Sequence, residues 1–99
     1  MVRASVNPGW EDEFNRWYNE EHLPDVAKLP GCVGAARYRV IDGDGTHQYL
    51  AVYAFESEAA LRAVIGSAHL NEMIRMYDEA VGSFSSRARA TYEQICSLG

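Results

Sequence analysis

The residues best suited to proton transfer lie in one segment, Trp17 to Asp25, where the first predicted helix ends. The ordinary pKa of a histidine such as His22 lies near neutrality, so its imidazole can take up and return a proton without special tuning. Asp25 follows three residues later, within reach of an imidazole N–H, and could hold one tautomer so that the other nitrogen acts as a base. The segment therefore predicts a catalytic pair, His22 and Asp25. The structural alternative is that His22 fills the helix end and Asp25 caps the turn after it.

Aromatic side chains are expected to form the walls of this site. Trp17 and Tyr18 share a helical face with His22 and would supply an apolar surface for a substrate. Tyr53, in the middle of a predicted strand, is expected beside the bound molecule, where its hydroxyl could donate to a developing oxyanion. His69, at the start of a later helix, is a further substrate-binding candidate. The alternatives are ordinary core packing for the aromatic rings and a position at the helix edge for His69.

Composition limits the kind of protein that can hold this site. The chain has 99 residues, of which 47% are hydrophobic, and this length supports one domain over residues 1–99 rather than two separate cores. Nine Lys and Arg against fourteen Asp and Glu give a net charge of −5, which argues against binding to nucleic acid or to an anionic membrane. No apolar run is long enough to cross a bilayer and no secretory signal is recognisable, so we expect a cytoplasmic protein.

Signals for cofactors and metals are missing from the sequence. It has no glycine-rich phosphate-binding loop, and Cys32 and Cys96 lack the spacing of metal ligands. We therefore expect no cofactor and no metal site.

The spacing of apolar and turn-forming residues predicts the elements that position these side chains. Pro24 cannot continue a helical hydrogen-bond ladder, so the first helix is expected to bend there. The residues at 42–45 are typical of a hairpin turn. The predicted elements are a strand at 1–7, a helix from Trp10, strands at 32–41 and 48–55, helical stretches before and after Gly66, and a last strand that ends near Cys96.

This order is βαββαβ, the α+β ferredoxin-like arrangement, in which a four-stranded antiparallel sheet carries its helices on one face. The predicted strand at 48–55 is apolar on both faces. Because the helices cover only one face of the sheet, we expect a partner chain to cover the other. The sequence thus predicts a homodimer in which the two sheets face each other. The alternative is a half-apolar face that stays in contact with water.

Arginines are unusually frequent on the predicted sheet of this acidic protein. Arg37 and Arg39 share one face of a strand, Arg87 and Arg89 share one face of the last strand, and Arg3 lies on the first. These guanidinium groups could capture a carboxylate or phenolate ligand. The pattern favours the structural alternative, in which they protect edge strands and form salt bridges to acidic helices or to a partner chain.

The motif Phe14-x-x-Trp17-Tyr18-x-x-x-His22-Leu23-Pro24-Asp25, followed by Pro30-Gly31 and a strand with Tyr and Arg, resembles the dimeric α+β barrel superfamily, and within it the EthD-like branch. The resemblance implies that the chain is one EthD-like domain. It also implies that the His22 imidazole faces a cavity between the helices and the sheet. The superfamily includes lyases, isomerases, cyclases, cofactor-free monooxygenases and haem enzymes, so it implies a fold more firmly than a reaction.

Residues and resemblance together predict a small cofactor-independent enzyme that performs acid–base chemistry. Isomerisation, cyclisation, dehydration or another elimination on a small, oxygenated, partly apolar molecule fits the candidate residues, with His22 first as base and then as acid. One alternative is an oxygen-using, monooxygenase-like relative, with or without haem. Another is a non-catalytic dimeric domain that binds a small molecule.

Overall fold

The computed structural model describes residues 1–43 and 47–98, which form an α+β fold. Its order confirms the predicted βαββαβ arrangement, with each helical region divided into shorter segments. The elements are β1 (Val2–Val6), α1 (Glu11–Trp17), a π-helical turn (Tyr18–His22), α2 (Leu23–Ala27), β2 (Cys32–Arg39), β3 (Tyr49–Phe55), α3 (Glu58–Val64), α4 (Ala68–Val81), a 3₁₀ turn (Gly82–Phe84) and β4 (Ser85–Arg89). The turn predicted at 42–45 lies partly outside the described residues.

The four strands form one antiparallel sheet in the order β2-β3-β1-β4, so β2 and β4 are its edges. Ala4 on β1 pairs with Tyr49 on one side and with Arg87 on the other. Arg37 on β2 pairs with Ala51 of β3. Directly paired residues share a face of the sheet, so both edge arginines lie on the same face as these apolar residues.

The helices pack on this face of the sheet and bury it. The main core cluster contains the buried side chains of strands and helices: Ala4, Val6, Phe14, Tyr18, Tyr49, Ala51, Tyr77, Val81 and Phe84. A second cluster, of Val26, Leu29, Val64 and Met73, lies under α2, α3 and α4. Tyr53 packs against both clusters. Each of α3 and α4 begins at a serine, Ser57 or Ser67, whose hydroxyl accepts a hydrogen bond from a backbone N–H of the first turn.

The first helical region continues through Pro24 as a π turn followed by α2. The Leu23 N–H donates to the Tyr18 carbonyl oxygen, a bond between residues five apart that defines a π turn. Pro24 has no N–H to donate and sits in the first turn of α2. One wide turn thus accommodates the proline, and it lies at the place where the helix was predicted to be disturbed.

The last strand is shorter than predicted, because it ends at Arg89 and not near Cys96. Its neighbour in the sheet is β1, whose register with β4 ends at the pair Val2 and Arg89. A final backbone bond joins the Ala90 N–H to the Met1 carbonyl oxygen. Beyond this point β4 has no strand to pair with, and residues 91–98 are exposed.

The face of the sheet opposite the helices keeps much apolar surface. Leu50 and Val52 of β3 are only half-buried there, and Tyr38 of β2 is 55% exposed. No helix of the described part of the chain packs on this face. None of the helices within residues 1–43 and 47–98 combines the length and apolar character needed to cross a membrane.

Candidate functional site

His22 is the last residue of the π turn, and its imidazole lies among three aromatic rings. It stacks on the Trp17 indole, with ring centroids 5.2 Å apart and 21° between the planes. The rings of Tyr18 and Tyr77 meet it edge-on, with centroids at 4.9 and 5.5 Å. We call this arrangement of His22, Trp17, Tyr18 and Tyr77 the imidazole niche. Trp17 and Tyr18, the two rings predicted beside His22, thus contact the imidazole, and Tyr77 adds a third ring.

The π turn explains why Trp17 and His22 stack. Hydrogen bonds between residues five apart bring positions i and i+5 one above the other, and these two residues are five apart. Side chains on a helix also lean toward its N-terminus, which directs the His22 ring back toward Trp17. Tyr77 reaches the niche from α4, whose buried stripe also contains Met73 and Val81.

The niche keeps the imidazole neutral. The pKa of His22 is lowered to about 4, chiefly by burial and next by the positive charge of Arg87. The charges of Arg89 and Arg37 act in the same direction, and the carboxylate of Asp25 opposes them. The ring is half-buried, and at neutral pH it is an uncharged base.

Asp25 does not bind His22 directly. In the described part of the chain, no hydrogen bond or ion pair joins the Asp25 carboxylate to the imidazole, so its predicted role in holding a tautomer has no contact to support it. The continuous helix explains the difference, because Asp25 stays in the first turn of α2 while the His22 ring is directed back to Trp17. The carboxylate acts on the imidazole only through its charge.

Two tyrosine hydroxyls meet beside the niche. The hydroxyl oxygens of Tyr18 and Tyr53 are 2.9 Å apart and share a hydrogen bond. Burial raises the pKa of both phenols, so both remain protonated at neutral pH. Tyr53 thus lies near the predicted site, with its hydroxyl bound to Tyr18.

Tyr77 has a hydroxyl for which the described residues provide no hydrogen-bond partner, although it is fully buried. The Arg87 guanidinium lies over its ring at 4.0 Å from the centroid and pairs with Asp78 at 3.3 Å. Tyr77 was not among the predicted site residues, because its spacing of four from Met73 and Val81 is that of ordinary core residues. The one sequence signal that could have indicated Tyr77 is its phenol hydroxyl among the apolar residues on the buried face of α4.

Arg37 approaches from the opposite edge of the sheet. Its guanidinium carbon lies 4.3 Å from the centroid of the Tyr18 ring. Nη1 donates to the Asn19 side-chain oxygen at 2.7 Å, and Nη2 donates to that of Asn15 at 2.8 Å. Arg37 is therefore held in place by neutral amides, at the helix–sheet junction next to the niche.

His69 lies apart from the niche. Its exposed side chain borders an apolar cleft of about 250 Å³ between α3 and the corner before β2, where Pro30, Ala60 and Val64 are also found. A second cleft, of about 390 Å³, is more polar and lies near Arg39 and Tyr49. His22 borders neither of these two clefts. The structure thus separates His69 from the other predicted site residues, and the imidazole niche is distinct from both clefts.

Metal-ligand side chains do not cluster in the described part of the chain. Within residues 1–43 and 47–98, no group of three or more His, Cys, Asp or Glu side chains comes close enough to hold an ion.

The model of one protein family matches residues 1–92, which is most of the chain. The chain belongs to the family described as domain of unknown function (DUF4286). No curated protein matches its sequence.

Two solved structures are similar in fold to this DUF4286 chain. The first is an ethyl tert-butyl ether D (EthD) family protein from Bacillus halodurans C-125, with a TM-score of 0.67 and 12% identity over 91% of this chain and 95% of that one. The second is HapK from Hahella chejuensis, with a TM-score of 0.64 and 13% identity over 99% of this chain and 100% of that one. At such identities the likeness concerns the fold alone, and in that respect it confirms the predicted EthD-like, ferredoxin-like architecture.

The DUF4286 chain brings its candidate residues together from separate parts of this fold. The π turn supplies His22, α4 supplies Tyr77, and the two sheet edges supply Arg37 and Arg87. The result is a neutral base in contact with aromatic rings, two of which, Tyr18 and Tyr77, carry guanidinium groups over them. Such a set can remove a proton and stabilise the negative charge that develops.

Proposed function

We propose that this protein is a cofactor-independent acid–base enzyme that moves a proton on a small, oxygenated, partly apolar molecule. The observation that carries the proposal is the His22 imidazole, which is uncharged, has no hydrogen-bond partner within the described residues and is stacked on Trp17. The ring is only half-buried, so its nitrogens are open to water or to a ligand. A free nitrogen beside apolar rings is suited to meet a substrate.

In the proposed reaction His22 takes a proton from a carbon next to a carbonyl group. The electron pair of the broken C–H bond moves into the C–C bond, and the carbonyl electrons move to oxygen, which forms an enolate. The Tyr77 hydroxyl donates a hydrogen bond to this oxygen. The imidazolium then returns its proton to another carbon, which gives an isomer, or to a leaving oxygen, which gives an elimination.

The low pKa of His22 restricts the substrate. A base whose conjugate acid has a pKa of about 4 takes protons efficiently only from comparatively acidic carbons. Carbons between two carbonyl groups, or next to the ketone of a 2-oxo acid, meet this condition. The same low pKa drives the imidazolium to give its proton back, which completes the cycle.

Proton exchange with solvent tests the proposal directly. The protein is incubated in D₂O with phenylpyruvate and with cyclohexane-1,3-dione, and loss of the signals of the acidic C–H groups is followed by ¹H NMR. We expect the protein to accelerate exchange of at least one probe, and His22→Ala to abolish the acceleration while its circular dichroism spectrum stays unchanged. His47→Ala is the matched control and should exchange like the parent. Equal exchange by the parent and His22→Ala would refute the proposal, and ligand binding without any exchange would favour the non-catalytic alternative.

We also propose that the protein works as a cytoplasmic homodimer. The apolar face of the sheet opposite the helices, with Tyr38, Leu50 and Val52, supports sheet-to-sheet association because its burial would remove apolar side chains from water. The imidazole niche lies on the other side of the sheet, so dimerisation would leave it accessible.

A further inference from the structure

The more polar of the two clefts, with a volume of about 390 Å³, brings charged side chains of both signs together. Its wall is formed by α1, the end of β2 and the start of β3. His22 does not border it, so it is separate from the imidazole niche. We call it the polar cleft, and the polar side chains that line it are Glu11, Asp12, Asn15, Arg39, Gln48 and Tyr49.

Hydrogen bonds hold three of these side chains in place. The Tyr49 ring is buried, and its hydroxyl donates to Glu11 Oε1 at 3.1 Å and accepts from the Asn15 amide at 3.1 Å. The Gln48 amide is bound to β1, where its oxygen accepts from the Val6 N–H at 2.8 Å and its nitrogen donates to the Val6 carbonyl oxygen at 3.4 Å. Because these groups are already ordered, a ligand that binds them loses little free energy to side-chain ordering.

The positive charge in the polar cleft comes from Arg39. The sequence favoured salt bridges for the sheet arginines, and Arg87 forms one, with Asp78 at 3.3 Å. Arg39 forms none within the described residues, although the chain has fourteen acidic residues against nine basic ones. Its guanidinium carbon lies 5.9 Å from the centroid of the Tyr49 ring. The N–H groups of Arg39 are therefore open to a ligand in the cleft.

The negative charge comes from the first turn of α1. Glu11 and Asp12 are exposed there, and neither has a cationic side chain within 4 Å among the described residues. One carboxylate oxygen of Glu11 accepts from Tyr49, and the other is free. Arg39 borders the same cleft but stays beyond ion-pair distance of both carboxylates. The gap between them suits a ligand that itself carries charges of both signs.

We propose that the polar cleft binds a small amino acid in its zwitterionic form, with the ligand carboxylate on Arg39 and the ligand ammonium on Asp12 and Glu11. The planar guanidinium matches a carboxylate through two parallel hydrogen bonds. The ammonium has three N–H donors, which two carboxylates can accept. A ligand with one charge alone would be attracted by one side of the cleft and repelled by the other. This site does not depend on the proposed acid–base function.

Three zwitterions of increasing length serve as probes: glycine, β-alanine and 4-aminobutyrate. Binding is followed by the ¹H–¹⁵N NMR signal of the Gln48 side-chain amide, which lines the polar cleft. The Trp17 indole N–H, in the imidazole niche, is the internal reference and should not shift. We expect at least one of the three probes to shift the Gln48 signal at millimolar concentration, and the distance between Arg39 and the carboxylates selects which.

Single-charge analogues show that both charges of the ligand contribute. The zwitterion that binds best is compared with the amine and the acid of the same number of carbons, which for 4-aminobutyrate are butylammonium and butyrate. Each analogue lacks one of the two charge-assisted contacts and should bind about three- to tenfold more weakly than the zwitterion.

Variants assign the two charges to their residues. Arg39→Gln and Asp12→Asn should each weaken binding of the zwitterion about three- to tenfold. Both residues are exposed, so the fold should persist, and thermal unfolding of each variant checks this. Glu13→Gln, in the same turn of α1 but outside the cleft, is the matched control for Asp12→Asn. Arg62→Gln removes a helix arginine that pairs with Glu58 and is the control for Arg39→Gln. Both controls should bind like the parent.

The proposal is overturned if no zwitterion shifts the Gln48 signal, if a single-charge analogue binds as tightly, or if either Arg39→Gln or Asp12→Asn binds like the parent. A shift of the Trp17 signal instead of the Gln48 signal would place the ligand in the niche and refute the proposal as well. The exchange assay is independent of these outcomes. Proton exchange without amino-acid binding would refute the polar cleft alone, and amino-acid binding without exchange would refute catalysis alone.

Discussion

The His22 imidazole and the Trp17 indole stack at a centroid distance of 5.2 Å, and this contact brings two opposing effects to one ring. A protonated imidazole over an indole would gain a cation–π interaction of about 0.5–2 kcal/mol. Burial and the positive charge of Arg87 act against protonation, and they prevail because the pKa of His22 falls to about 4. The stacking therefore positions a neutral ring and does not stabilise a cation.

The first prediction concerns stability in acid. The pKa of His22 is about 4 in the folded protein against an ordinary 6.5, so the unfolded chain takes up this proton first as the pH falls. Stability should decrease as the pH falls from about 6.5 to 4 and show no further contribution from this group below that range. The contribution is about 3 kcal/mol at most. Urea unfolding at pH 7 and pH 4 measures it.

The comparison with His22→Gln isolates this contribution from that of the carboxylates, which also titrate in acid. The variant should lose roughly 2–3 kcal/mol less than the parent between the two pH values. His47→Gln is the control and should lose as much as the parent. An identical loss in the parent and in His22→Gln would show that the imidazole is not shielded from protonation.

The second prediction uses two glycines with positive φ angles. Gly9 has a φ of +91°, and a Cβ added there would have no atom within 4 Å. Gly31 has a φ of +81°, and a Cβ added there would lie 2.6 Å from the Cβ of Ala60. Gly9→Ala should cost about 1–2 kcal/mol for backbone conformation alone. Gly31→Ala should cost about 1–3 kcal/mol more, because the corner before β2 and α3 must move apart.

Denaturant unfolding of both variants measures this difference. Adding Ala60→Gly to Gly31→Ala should recover part of the extra loss, since it removes the clashing methyl group. Equal destabilisation by the two single substitutions would contradict the close approach of Gly31 to Ala60.

Local patterns were sufficient to predict the fold but only part of the niche. Alternating strands and the Gly66 break depend on short-range sequence, and so does the helical face shared by Tyr18 and His22. The π turn was not predictable from propensity, because it follows from how the chain continues through Pro24. Tyr77 joins His22 only through the packing of α4 on the sheet, which no local spacing reveals.

The third prediction concerns the uncovered sheet face. If two copies associate through it, the protein should sediment at about twice its monomer mass of 11.1 kDa. Val52→Asp places a charge in the middle of this face and should give monomers, because a buried unpaired carboxylate opposes association. Ala59→Glu, on an exposed position of α3, is the matched control and should leave the dimer intact. A parent protein that sediments as a monomer would refute the proposed homodimer.

The fourth prediction sets stability against activity at Tyr77. Its hydroxyl is buried without a partner in the described residues, and a buried unsatisfied group typically costs about 1–3 kcal/mol. Tyr77→Phe keeps the ring and removes this cost, so the variant should unfold at higher urea concentration, with a gain of about 1 kcal/mol.

Proton exchange of the probe should fall about 10- to 100-fold in the same variant, since the enolate oxygen loses its donor. Tyr18→Phe is the contrasting substitution, because the Tyr18 hydroxyl is bound to Tyr53 and its removal should cost about 1 kcal/mol. Destabilisation by Tyr77→Phe would mean that its hydroxyl has a partner in solution. Higher stability with unchanged exchange would show that the Tyr77 hydroxyl has no role in the reaction. The Tyr53 hydroxyl, which also lies beside the niche, would then be the next candidate donor.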